Sequence, residues 1–381
     1  MTTWSVVKDD TKEKRRPARY FRYGILASLA VLVISLGLAL IPGTPPEAPE
    51  PAFSEKARAA AFTETMRLRQ AGSTLADAVS GAERQALLHT VTLLTTQARA
   101  LTGPDQGPTP TATGTASGTP SGTASGTGTP APPGGEAPAV GSAPELAAAM
   151  TASSNRRLKD AEAADGGMAR LLAAVGTAQL LQASSLATAV GAPAPELPAP
   201  AEPASAPAAA SPSPSPSPSA SARSCPATVT PSGAAGGPAT SESALAMTVK
   251  TEAETVYGYQ VALARLDGSA AGSASQMLAR HEAVLAEAEA LSRADCAGIP
   301  PREAGYTLGP LFLEQPAAGL GSLEAGTLPV YGDLVALSDG STRQWAISGL
   351  LAAANRAALW GADSGPLPGI VVDTAQLPPL P

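Results

Sequence analysis

Glu252, His281 and Glu324 are the residues whose types and spacing could do chemistry together. Leu245, Val249, Glu252, Val256, Tyr259, Leu263 and Leu266 recur at steps of four and three, the rhythm of a helix stripe that faces a core. Met277, His281, Val284, Ala288 and Leu291 repeat that rhythm, and so do Leu320, Glu324, Thr327, Tyr331 and Leu334. Each stripe therefore sends one titratable side chain inward. An imidazole with two carboxylates is a possible ligand set for a single metal ion. The same trio can instead form a buried hydrogen-bonded network, in which Glu252 or Glu324 pairs with His281 or Arg280 so that no charge stays unsatisfied. The network is the preferred reading, with no cofactor and no catalytic residue; one metal ion is the alternative.

The spacing places these stripes on helices over about 241–267, 273–294 and 316–338, with a fourth, apolar nearly all round, over 342–361. Pro329 should kink or break the third. The fourth holds no Asp, Glu or His and reads as packing material. Tyr257, Tyr306, Tyr331, Trp345 and Trp360 are expected as core anchors, and Glu282, Glu287, Glu289 and Arg293 as a solvated helix face.

The first half repeats the count, with helices at about 53–76, 82–102, 144–164 and 168–189, Gly72 and Gly81 bracketing a break, and His89 as a satisfied core residue. Residues 165–191 and 339–365 align without a gap 174 positions apart, pairing Asp165-Gly166 with Asp339-Gly340 and Gly191 with Gly365. That similarity predicts two helical units of one kind in tandem.

Between these elements the composition changes. With 37 glycines, 38 prolines and 3% aromatics, much of the chain cannot pack. Residues 103–143 and 192–240 collapse to Gly, Pro, Thr, Ser and Ala, which cannot bury enough apolar surface to offset the entropy of ordering, and are expected to be disordered. The expected organisation is a basic segment over 1–23, an anchor over 24–42, an interrupted helical bundle over 53–191, a linker, a second four-helix bundle over 241–365, and a Pro-rich tail over 366–381.

The stretch Gly24 to Ile41 carries no charge and follows seven Lys and Arg residues between Lys8 and Arg22. Its length suits a membrane-spanning helix with the basic flank in the cytoplasm and the remainder outside; a cleaved signal segment, followed by secretion, is the alternative. On the exported side Cys225 and Cys296 are expected to form a disulfide, closing a loop of about 70 residues.

From about Ala244 to Gly365 the sequence resembles actinobacterial exported domains of unknown function in the ferritin-like superfamily. The likeness rests on the run Glu252 to Tyr259, on Arg280-His281-Glu282, on Pro300 to Tyr306, on Leu323 to Thr327 and on Trp360 to Asp363. It implies a four-helix bundle and no established activity. Ferritin-like oxidases take a glutamate from each of two helices and a Glu-x-x-His pair from each of the other two. Here Leu278 stands three before His281 and the last helix offers no carboxylate, so a standard di-iron site cannot be assembled.

Other chemistry is excluded or unmarked. The net charge of −7, with no basic stripe beyond the N-terminus, excludes nucleic-acid binding. The glycine-rich tracts do not sit between a strand and a helix, as a phosphate-cradling loop would. The function expected from the sequence is a membrane-anchored, extracytoplasmic pair of degenerate ferritin-like bundles that binds or organises an envelope protein or polymer. A metal-binding or oxidoreductase module with a reduced ligand set is the alternative.

Overall fold

The protein is described by a computed structural model covering residues 22–31, 51–102, 140–196 and 239–380. Cys225, most of both expected inserts and residues 32–42 of the expected anchor lie outside the described residues. Among those described, every regular element is helical: α1 Arg22–Val31, α2 Phe53–Ala78, α3 Gly81–Leu101, α4 Ala143–Ala163, α5 Gly166–Ala189, α6 Ser241–Leu263, α7 Gly268–Ala294, the short α8 Pro310–Glu314, α9 Pro316–Leu337 and α10 Gly340–Leu359. The fold class is all-α, built from helical bundles.

The chain divides into Met1–Pro51 and Ala52–Pro381. In the first unit, the described part of α1, Arg22–Val31, is apolar. One helix among the described residues, α5, is long and apolar enough to cross a membrane, yet 72% of its most apolar 18-residue window is buried inside the protein, as befits a core helix.

Local signals explain where the helices of the second unit begin. Ser142 caps α4 by accepting from Glu145 N at 3.4 Å, while Glu145 Oε2 accepts from Gly141 N at 2.7 Å. Thr240 and Ser243 form a reciprocal capping box at the start of α6. Asp165 accepts from Met168 N at 3.2 Å, opening α5 where the aligned repeat places its start. Gly72 lies within α2 and the break falls at Val79-Ser80, just before Gly81, whose φ of +68° a side chain would resist. Pro329 sits inside α9, which runs on to Leu337 as one helix, so of the expected kink or break the break does not occur.

In the second unit α2–α5 form one bundle and α6, α7, α9 and α10 a second, each made of two antiparallel hairpins. The hairpins α4–α5 and α9–α10 also pack against each other, through α5 with α9, α4 with α10 and α5 with α10. Exchanging α4 with α9 and α5 with α10 maps this set of contacting pairs onto itself, although α5 with α9 is the more extensive contact. One apolar cluster runs through this junction, from Leu172, Val175 and Leu180 to Tyr331, Leu334, Trp345 and Leu350. Arg343 Nη1 donates to Ala164 O at 2.6 Å, and Gln344 Nε2 to Glu162 Oε2 at 2.9 Å, sealing the rim.

The C-terminal segment folds back. Leu367 is buried, Gln97 Nε2 donates to Pro366 O at 3.0 Å, and Arg99 Nε donates to Pro378 O at 3.0 Å.

The matching reaches beyond the aligned stretch. Buried Leu87, Leu94, Ala98 and Leu101 of α3 correspond to buried Ala274, His281, Leu285 and Ala288 of α7, all 187 positions apart. Gly81 and Gly268 share that separation and both have positive φ, +68° and +52°. Gly191 and Gly365, 174 apart, adopt +68° and +70°. The spacing shifts between the second and third helices, where the first copy carries its long insert.

Candidate polar site in the second bundle

The interior of the second bundle holds four charged side chains, one from each long helix: Glu252 on α6, His281 on α7, Glu324 on α9 and Arg356 on α10. All four are buried. Each lies on its helix's inward stripe, so the apolar residues one turn to either side commit it to the core.

His281 lies between the two carboxylates. Its Nδ1 is 2.7 Å from Glu252 Oε2 and its Nε2 is 2.8 Å from Glu324 Oε1. An ionised carboxylate only accepts, so both ring nitrogens donate and the ring is an imidazolium. Arg356 Nε donates to Glu324 Oε1 at 3.0 Å and Oε2 at 2.9 Å. Tyr259 donates its hydroxyl to Glu324 Oε1 at 2.7 Å and accepts from Trp360 Nε1 at 2.8 Å. Tyr331 donates its hydroxyl to Glu252 Oε1 at 2.6 Å. Two carboxylates face two cations, so the buried charge sums to zero, the condition under which desolvated ions can be tolerated.

The electrostatics follow from this enclosure. Burial alone would pull the His281 imidazolium down, but hydrogen bonds and charge from Glu252 and Glu324 outweigh it and hold the group above its ordinary value. Burial would likewise raise Glu324, yet His281, Arg356 and Tyr259 keep it below the usual carboxylate range. Tyr331 is pushed well up, by burial first and then by the Glu252 charge, so it stays a donor. Burial alone would lower Arg356, but its surroundings, Glu324 foremost and Glu252 with it, together outweigh that cost and hold the group above its ordinary value.

The trio singled out by spacing is thus brought together, but with the imidazole between the carboxylates rather than beside them. One ion can take only one nitrogen of a ring. Two ligands on an ion bound at about 2.1 Å stay roughly 3 Å or more apart, whereas His281 keeps hydrogen-bond distances to both partners. The arrangement does not fit a metal centre, and among the described residues no group of three or more His, Cys, Asp or Glu is placed to hold an ion.

Several sequence expectations are corrected. Arg280 is exposed and takes no part in the network; Arg356 supplies the cation, so α10 is more than packing material. An inward stripe was the signal for it, since Trp345, Leu350, Ala353 and Ala357 share its buried face. His89 is exposed, not a core residue, because Leu87, Thr90 and Leu94 take the inner face of α3. Tyr331 and Trp345 are buried, but Tyr257, Tyr306 and Trp360 are only half-buried. Glu287 is half-buried and accepts from Trp345 Nε1 at 2.9 Å, which departs from a purely solvated face. Cys296 is disulfide-bonded and has a positive φ of 56° at the turn after α7.

The first bundle has an uncharged interior at the matching positions. Thr65, Leu94, Met150 and Gln182 stand where Glu252, His281, Glu324 and Arg356 stand, at separations of 187, 187, 174 and 174. Gln179 Nε2 donates to Gln97 Oε1 at 3.1 Å, and Gln182 Nε2 to Thr90 Oγ1 at 2.9 Å.

Residues 244–372 match a family described as a domain of unknown function (DUF4439). The match covers the second bundle and the start of the returning tail, about a third of the chain. No curated protein and no solved structure matches the chain.

Proposed function

We propose that the protein is a non-catalytic binding or scaffolding component of the cell envelope, held to the membrane by its N-terminal segment, with two degenerate ferritin-like bundles on the outer side. The observation that carries the non-catalytic part is the placement of His281 between Glu252 and Glu324, with Arg356 against the second carboxylate. Both ring nitrogens of His281 and all four carboxylate oxygens of Glu252 and Glu324, the atoms that could meet a metal here, are committed to other side chains. The four side chains are buried, and they cross-link all four helices of the bundle. A ferritin-like bundle whose metal-ligand positions have become an internally neutral lock is a scaffold, and its functional surfaces are its faces.

Support for the envelope placement is the basic segment followed by the uncharged run from Gly24 to Ile41, together with a disulfide-bonded Cys296, which favours an oxidising compartment. Two measurements test the reading. Elemental analysis of full-length protein produced with iron, manganese and zinc supplied should find no stoichiometric metal; one equivalent that vanishes in Glu252→Ala would instead establish the metal-binding alternative. Protease added to intact cells should digest the Ala52–Pro381 unit; protection there, with digestion only after lysis, would overturn the envelope assignment.

A further inference from the structure

The ring of helices in the second bundle is closed tightly on three sides. α6 packs on α7 and on α9, and α9 on α10, but α7 and α10 make no comparable contact. Between them lies a cavity of about 240 Å³. Its apolar wall includes Val284, Trp345 and Ala352, and its charged groups are Arg280, Glu287 and Arg356.

Arg356 is the informative member. It is 4% exposed and uses only Nε to hold Glu324. Its two terminal amino groups form no hydrogen bond to the described residues, although the side chain lines the cavity. Guanidinium donors in an apolar recess are costly unless an acceptor meets them. Arg280 borders the same space, is exposed, and forms no ion pair among the described residues. Glu287 is already engaged by Trp345 Nε1, and its negative charge disfavours a second anionic group close by.

We propose that this cavity binds a small organic monocarboxylate with a flat apolar body. The carboxylate takes the terminal amino groups of Arg356 and the guanidinium of Arg280, in the forked geometry that arginine offers planar anions. The body lies against Trp345 and Val284. Binding here goes beyond the scaffold reading and does not depend on it, because the ligand meets the outer edge of Arg356 and leaves the inner network unchanged.

The experiment is calorimetric titration of the full chain in detergent with benzoate, 3-phenylpropionate and indole-3-acetate, alongside 3-phenylpropionamide and inorganic phosphate. At least one carboxylate should bind saturably, with the amide and phosphate at least about tenfold weaker, as loss of a charge-assisted contact implies. Arg280→Gln should weaken that carboxylate about tenfold. Ala352→Phe, which fills the cavity, should abolish binding. The proposal is overturned if none of the three carboxylates saturates by about 10 mM, if the amide or phosphate binds as well as the carboxylate, or if Arg280→Gln and a folded Ala352→Phe bind undiminished.

Discussion

Gln182 and Arg356 hold the same place in the two bundles, 174 residues apart, and each reaches across its own core: Gln182 to the Thr90 hydroxyl at 2.9 Å, Arg356 to the Glu324 carboxylate at 2.9 Å. One copy fills its interior with neutral hydrogen bonds and the other with ions. The bundle therefore tolerates both solutions at these positions, and in the charged copy each ion faces an opposite charge, so that the pairing is complete.

Completeness is what single substitutions remove. His281→Leu leaves two buried carboxylates without their shared cation, and Arg356→Gln leaves Glu324 short of one. Each should destabilise by about 3–5 kcal/mol in urea unfolding. The fourfold change Glu252→Thr, His281→Leu, Glu324→Met and Arg356→Gln, which copies the first bundle, should cost less than the sum of the four singles. Additive losses would refute the network as a unit.

The network also sets a pH window. Glu324 titrates below its ordinary value of about 4.5 in the folded protein, so its contribution is full above that value and is lost as the pH falls through the depressed folded value. His281 titrates above its ordinary value of about 6.5, so its contribution is full below that value and is lost as the pH rises through the raised folded value. Both are complete between these limits. Thermal unfolding of the wild type should show a maximum there, and Glu324→Gln should flatten the acid limb.

Arg157 is buried with Nε and Nη1 lacking partners, and burial pulls its pKa down despite Asp160. Arg157 Nη2 pairs with Asp160 at 3.1 Å, so Arg157→Met combined with Asp160→Asn, which replaces the pair as a unit, should raise stability by about 1–3 kcal/mol, whereas Arg157→Met alone should gain less because it strands Asp160. A lower melting temperature for the double variant would contradict the assignment.

Gly349 permits the close approach of Tyr331. A Cβ there would lie 2.2 Å from a carbon of the Tyr331 ring, the ring whose hydroxyl holds Glu252. Gly349→Ala should cost about 1–3 kcal/mol through overpacking. Gly326→Ala, where a Cβ meets nothing within 4 Å, is the control and should leave the melting temperature nearly unchanged.

The helices were legible in the sequence because a core stripe is a local property. Steps of three and four placed Glu252, His281 and Glu324 inward, and Asp-Gly pairs marked the starts of α5 and α10. The misplacement of His89 shows the limit of that logic. One isolated polar residue beside an apolar stripe can sit a notch to either side, and only the packed neighbours Leu87 and Thr90 decide.

Sequence alone determined the class of fold, the four long helices of each half and the inward trio, because those follow from periodicity along one chain; the short α8 escaped it. Tertiary structure decided that Arg356 rather than Arg280 is the cation, that the imidazole lies between the carboxylates, and that the returning tail and the two inner hairpins share one core. Those are relations between helices far apart in sequence. Hydrogen-bond direction and charge pairing depend on how helices rotate and meet, which no single stripe encodes.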